Sequence, residues 1–208
     1  MVIKEKSKAR GRPRAFDKEA ALDAAQALFH LHGYEGVGVA ALAQAMGINP
    51  PSLYAAFGDK TALFDQVLAR YARSALPVDE LLVPGAPPAQ ALAQLLREAA
   101  RIYAANPLAA GCLVLEGARG SDPDAAAHAR IRKEASMQRI VDFIAPTHPD
   151  KAERVADYMV TIMSGLSSDA RAGKSAERLL AVADMAALAL GATLSQSILH
   201  KTGTGFVQ

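Results

Sequence analysis

The chain has 208 residues, 51% of them hydrophobic, with few aromatics and no tryptophan, a length that buries a sizeable core without help from metals or disulfides. One cysteine, Cys112, excludes an internal disulfide and fits a reducing compartment, and no apolar run is expected to reach the roughly 20 residues that cross a bilayer. The net charge of +2 is uneven: Lys4, Lys6, Lys8, Arg10, Arg12 and Arg14 crowd residues 1–14, where Glu5 is the lone acid, and no apolar core follows them as in a signal peptide, so a soluble cytoplasmic protein is expected.

Residues 1–14 form a basic arm on a mildly acidic body, a pattern that points to a polyanion touched at one end; standing alone, such an arm reads better as a solvated tail. Asp17 then caps a helix with Leu22, Ala25, Leu28 and Phe29 at spacings of three and four, closed by Gly33. A short helix runs from about Val39 to Met46 and stops at Gly47. A third begins after Asn49 and ends near Phe57, and Asp59 caps a longer one through Leu63, Val67, Leu68 and Tyr71. The connector from Leu76 to Pro88 holds four prolines besides Gly85, too many for a helix to run through. Beyond it come a helix from Ala89 to Ala105, a short apolar segment from Gly111 to Arg119, a helix started by Asp122-Pro123 and reaching about Ala145, one opened by Pro149 and ending near Gly173, and a last one capped by Ser175 and running to about Lys201. Patterns that alternate as strands do are hard to find, so the expectation is an all-α protein of about nine helices.

Val39 to Phe57 carries the chemistry. A helix-turn-helix needs two short helices crossing steeply, a small residue at the contact and a glycine in the turn. Leu42, Met46, Ile48 and Leu53 are the apolar locks, Ala43 the small residue, and Gly47 the turn. Taken alone this also describes an ordinary helical hairpin. The second helix opens Asn49-Pro50-Pro51-Ser52. Pro51 has no N–H, so the Asn49 side chain can cap only Ser52, and the prolines remove donors that would otherwise grip a phosphate. Phosphate contact is therefore expected from Tyr54, Lys60 and the arm. Tyr54 also reads as a half-buried core aromatic, and Lys60 as a helix-end surface charge. Asn49, Ser52 and Ala55 are small enough to lie deep in a major groove, and the first two can bond base edges.

These residues resemble the DNA-binding region of the TetR/AcrR family. The matching pieces are Gly11-Arg12-Pro13-Arg14, Ala24 to Phe29, His32-Gly33-Tyr34-Glu35-Gly36, Ala40 to Met46, Gly47-Ile48, and Leu53 to Lys60 with Leu63-Phe64. The resemblance covers Arg10 to Leu68; the rest matches only in helix number and length. It implies an arm over residues 1–14, a reading head over 15–60, and a helical ligand-binding and dimerisation region over 61–208. It also implies operator DNA, a small-molecule effector and a second copy of the chain as partners, with no cofactor. Asn49, Pro51, Ser52 and Ala55 would face bases, and Tyr54 and Lys60 phosphates. Two positions depart from the family pattern. Val39 stands where threonine or serine often bonds a phosphate, and Ala56 where histidine often does. Arg10, Arg12 and Arg14 are expected to compensate by reaching the backbone or an adjacent minor groove.

The resemblance further implies that the last two helices pair with those of a second subunit. The seam expected on periodicity is Val155, Met159, Ile162 and Leu166 with Leu180, Ala183, Ala187, Leu190, Leu194 and Ile198; the same spacing also suits a face turned into the chain's own core. A ligand pocket among the middle helices would be lined by Tyr103, Cys112, Glu116, Met137, Ile140 and Phe143, each of which also reads as plain core. Cys112 reads better as inert filler than as a thiol sensing electrophiles or oxidants, because no basic residue lies near it in sequence.

Other chemistries fit poorly. Gly173-Lys174-Ser175 lacks the earlier glycine of a phosphate loop, Ser168 standing there. His30, His32, His128, His148 and His200 include no metal-binding pair at helical spacing. A DNA-organising dimer without effector and a helical enzyme with a look-alike hairpin are the rival classes. A short palindromic footprint distinguishes a regulator from both.

Overall fold

The computed structural model describes residues 16–195, which are helical with no strand among them. Arg10, Arg12, Arg14 and Ile198 lie outside the described residues. Three helices form the amino-terminal head: α1 (Lys18–His32), α2 (Val39–Ala45) and α3 (Pro50–Phe57). Asp17 Oδ1 accepts from the N–H of Glu19 and Ala20, which starts α1, and Gly33 ends it at φ +74°. Then come α4 (Lys60–Ser74), α5 (Val78–Leu81), α6 (Pro88–Ala105), α7 (Leu113–Gly117), α8 (Pro123–Ile144), α9 (Ala152–Arg171) and α10 (Ala176–Ser195). The expected side-chain caps of α4 and α8 are made by Asp59 and Asp122, through the N–H of Ala62 and Ala125. The tenth helix, against about nine expected, is α5. It is one turn long and fits inside the proline-rich connector because Pro77 precedes it and Pro84 follows it.

Head and body share one apolar core. Phe29, Leu42, Leu53, Leu63 and Phe64 belong to the same buried cluster as Leu92, Leu96, Tyr103, Met159 and Leu190. The packing therefore does not break at residue 60. The helix α4 bridges the two parts, resting on α1 at one end and on α7 and α8 along its length. Arg70 of α4 pairs with Glu19 and Asp23 of α1 at 3.1 and 2.6 Å, and Asp65 pairs with Arg132 of α8 at 2.6 Å. A second joint lies at Glu35. Its Oε1 accepts from Ser121 N, Ser121 Oγ and Asp122 N at 2.6, 3.0 and 3.0 Å, and the bonds to this carboxylate hold its pKa below the ordinary value.

The carboxyl-terminal pair differs from the expected seam. Val155, Met159, Leu166, Ala183, Leu190 and Leu194 are buried in the protomer's own core, and Ile162, Leu180 and Ala187 are half-buried. They face inward because α9 and α10 both pack on α6, whose Leu92, Leu96 and Ala99 are buried in the same core. The apolar side chains left outside are Val182, Met185 and Leu188, at 43, 71 and 77% exposure. With two apolar faces, α10 has a mean hydropathy of 1.4 and is long enough to cross a membrane, contrary to the expectation that no such stretch exists. Its Asp184 is tied to Arg97 of α6 at 2.7 Å.

Candidate nucleic-acid interface and ligand cavity

The turn between α2 and α3 is built as the sequence requires. Gly47 has φ +68°, and its N–H and that of Ile48 close back on the Gln44 and Ala43 carbonyls. Leu42, Ala43, Leu53 and Phe57 are buried and hold the two helices together. Asn49 Oδ1 accepts from Ser52 N at 2.8 Å, the one capping bond the two prolines leave available. Because Leu53 and Phe57 point inward, Asn49, Pro51, Ser52, Tyr54 and Ala55 are all exposed on the opposite face of α3. Tyr54 stands out from the surface rather than lying in the core.

Val39 and Ala56 are half-buried against the core, so neither offers a polar group outward. Lys60 is placed differently from a free phosphate ligand. Its Nζ lies over the Tyr34 ring, 4.0 Å from the centroid, and burial lowers its pKa while Asp122 and Glu35 oppose that shift. Sequence reasoning missed Phe16 and Lys18. Phe16 packs edge-on against Phe57 with centroids 5.9 Å apart, and Lys18 Nζ lies 5.4 Å from the same ring. Their signal was faint: one aromatic and one cation just ahead of a helix. Their effect is to bring the chain that follows the arm in beside the carboxyl end of α3.

The middle helices enclose a cavity of about 80 Å³. Of the six expected ligand residues, Tyr103, Cys112 and Ile140 line it, with Tyr71, Leu95, Leu115, Val160 and Met163 completing an apolar wall. The other three do not. Phe143 lines a separate cleft against the Pro84–Pro88 connector. Met137 packs half-buried on the core without reaching the cavity. Glu116 turns away from the cavity: it pairs with Arg119 at 3.0 Å, accepts from Ser167 Oγ of α9 at 2.7 Å and lies near Arg171 at 3.9 Å. Burial pushes the Cys112 thiol up in pKa, the reverse of what a reactive thiolate needs. Burial likewise raises Tyr71 and Tyr103.

The cavity wall and the head meet at one strap, residues 110–112. Gly111 N donates to the Tyr103 carbonyl, Cys112 N donates to Ser167 Oγ at 2.9 Å, and His30 Nε2 of α1 donates to the Gly111 carbonyl at 3.3 Å. Arg171 Nη1 donates to the carbonyls of His30 and Ala110, and the His30 ring lies edge-on to Tyr71 at 5.5 Å. Burial is the main cause that lowers the His30 pKa from its ordinary 6.5. The folded state thus takes up this proton less readily than the unfolded chain, so stability is present above pH 6.5 and is lost as pH falls through 6.5 toward the folded value. We expect urea midpoints to drop between pH 7.5 and pH 5.5, and to drop less in His30→Gln, which keeps a donor but does not titrate. Equal losses in both proteins would refute this role.

Three kinds of relatives bear on the identity. Residues 21–67 match the family model described as bacterial regulatory proteins, tetR family. The chain is 46% identical over 197 residues to the HTH-type transcriptional repressor BdcR of Escherichia coli (strain K12), covering 94% of this chain and 100% of that one. It is 33% identical over 189 residues to the HTH-type transcriptional repressor ComR of the same organism, covering 85 and 90% of the two chains. Among solved structures, it superposes with a TM-score of 0.76 and 34% identity on a cysteine-substituted form of the TetR family transcriptional regulator CifR, complexed with 26-bp double-strand operator DNA, over 86% of this chain and 99% of that one. With an outward-facing second helix in a helix-turn-helix and relatives matched along nearly their whole length, the chain belongs to the TetR family and is a DNA-binding transcription regulator.

Proposed function

We propose that the protein is a homodimeric, cytoplasmic repressor that seats α3 in the major groove of an inverted-repeat operator and is released when a small molecule enters the cavity of the middle helices. The observation that carries the DNA half is the sidedness of α3: Leu53 and Phe57 are spent on the core, and every other expected contact residue of that helix is free for a duplex. Asn49 and Ser52 supply the groups that read base edges, Pro51 and Ala55 the apolar contacts, and Tyr54 a hydroxyl for phosphate. Arg10, Arg12 and Arg14 add backbone charge from the arm.

For dimerisation we take the outer stripe of α10 in place of the seam expected from periodicity. Val182, Met185 and Leu188 repeat every three residues on a surface that α6 leaves uncovered, and a two-fold pairing there would match two half-sites about one helical turn apart. The double variant Met185→Glu, Leu188→Glu places like charges on both copies of this face. It is expected to sediment as a monomer and to bind operator at least tenfold more weakly; a dimer of unchanged stability would remove α10 from the interface.

Release is assigned to the bridge formed by α4, which begins at the reading head with Lys60 and reaches the cavity with Tyr71, Ala72 and Ala75. Ligand can shift the equilibrium only if it prefers a conformer with poor operator fit. Footprinting on DNA flanking the protein's own gene tests the whole reading. A short palindromic footprint lost in Ser52→Trp supports it, whereas sequence-independent coating or no protection sinks it.

A further inference from the structure

Burial divides the cavity lining into two chemically different ends. Tyr103 is fully enclosed, yet its hydroxyl has no hydrogen-bond partner of normal geometry, the Cys112 thiol, a weak hydrogen-bonding group, being its polar neighbour. An orphaned buried hydroxyl is costly, and natural proteins keep one where a ligand or water completes it. The other end holds Lys133, Ser136 and Arg139 of α8, all at least partly exposed. Arg139 is already paired with the exposed Asp79. Lys133 forms no ion pair with an acid among the described residues, and the cavity lining it belongs to contains no carboxylate. Between the ends the wall is aliphatic, from Leu95, Leu115, Ile140 and Val160.

We infer that the effector cavity takes a small organic anion with an apolar body, its carboxylate held at the mouth by Lys133 and its body in the aliphatic barrel that leads to Tyr103. This inference rests on the ligand-responsive reading above and names the chemistry of the same site. A cation would meet Lys133 and Arg139 as it entered, and a purely apolar molecule would leave the mouth charges unused and the Tyr103 hydroxyl unpaired. An anion uses the mouth charge. Where its body carries an oxygen at the far end, Tyr103 gains the acceptor it lacks. The volume is that of roughly five to eight ordered waters, which limits the enclosed body, without the carboxylate at the mouth, to a similar number of heavy atoms.

The test uses the full chain and four probes of similar size: hexanoate, 6-hydroxyhexanoate, hexanol and hexylamine, followed by calorimetry and by thermal melting. Both acids are expected to bind and raise the melting temperature, hexylamine not to bind, and hexanol to bind at least tenfold more weakly than hexanoate. Lys133→Met should weaken both acids about tenfold with hexanol unchanged. Tyr103→Phe should weaken 6-hydroxyhexanoate more than hexanoate, while leaving the ligand-free protein as stable as before because the lost hydroxyl had no partner. Hexanol binding as tightly as hexanoate, or acid binding indifferent to Lys133→Met, overturns the assignment, as does binding of neither acid. Acid binding that depends on Lys133 but leaves operator affinity unchanged upholds the site chemistry and refutes the release reading instead.

Discussion

Gly111→Ala is expected to destabilise the protein by about 3–5 kcal/mol, from a left-handed backbone position and an overpacked contact acting together. Gly111 has φ +79°, and a Cβ there would meet Ser167 Oγ at 2.8 Å, the Ser167 carbonyl oxygen at 2.9 Å and Arg171 Cγ at 3.0 Å. Arg171 Cγ can move aside, but the α9 backbone cannot. Ser167 Oγ is also committed, accepting from Cys112 N and donating to Glu116. Gly173→Ala is the control. It shares a positive φ of +82° but has nothing within 4 Å of the added methyl, so it should cost only about 1–2 kcal/mol. Urea denaturation of both variants checks the ordering. Equal losses would mean that the strap has room to spare and does not clamp α7 to α9.

Removal of residues 1–14 is expected to weaken operator binding most strongly at low salt. If Arg10, Arg12 and Arg14 each neutralise a phosphate, the salt slope should flatten by roughly 2.7 units, which over a fourfold change in salt is about 40-fold in affinity. The described structure begins at Phe16, which packs on Phe57 at the end of α3. With Val39 and Ala56 unable to grip the backbone and Lys60 resting on Tyr34, few other cations of the head are available. Fluorescence anisotropy across a salt series measures the slope. An unchanged slope would assign the phosphate contacts to Lys18 and Lys60 instead.

Local chemistry was legible in the sequence wherever one residue decides the backbone. Asp17, Asn49, Asp59 and Asp122 each cap the helix expected of them, and Pro51 limits the Asn49 cap to Ser52 as its missing N–H demands. The reading helix could be placed because its inward residues, Leu53 and Phe57, are large and its outward ones small or polar. Orientation in the carboxyl-terminal half was not legible. Spacings of three and four in α10 are satisfied by Leu190 and Leu194 on one side and by Met185 and Leu188 on the other, and periodicity cannot say which side meets α6. The cavity failed to declare itself for a related reason. Tyr103, Cys112 and Ile140 come from α6, the start of α7 and α8, and only packing brings them together, whereas Glu116, one turn beyond Cys112, is drawn to Ser167 and Arg171. Lys60 could be read as a surface charge, but its seat on Tyr34 depends on a contact across 25 intervening positions that no local pattern records.

The bond between His30 and Gly111 gives the molecule no clutch. The segment lines the cavity through Cys112 and, through Gly111, is the bracket under the inner end of the first helix, so a guest bound there as proposed would also push on that helix. If release runs as proposed, the bracket and α4 move together, because His30 touches both Gly111 and Tyr71, and a variant that softens the bracket should blunt the answer to a guest even where guest and operator are each still held at full strength.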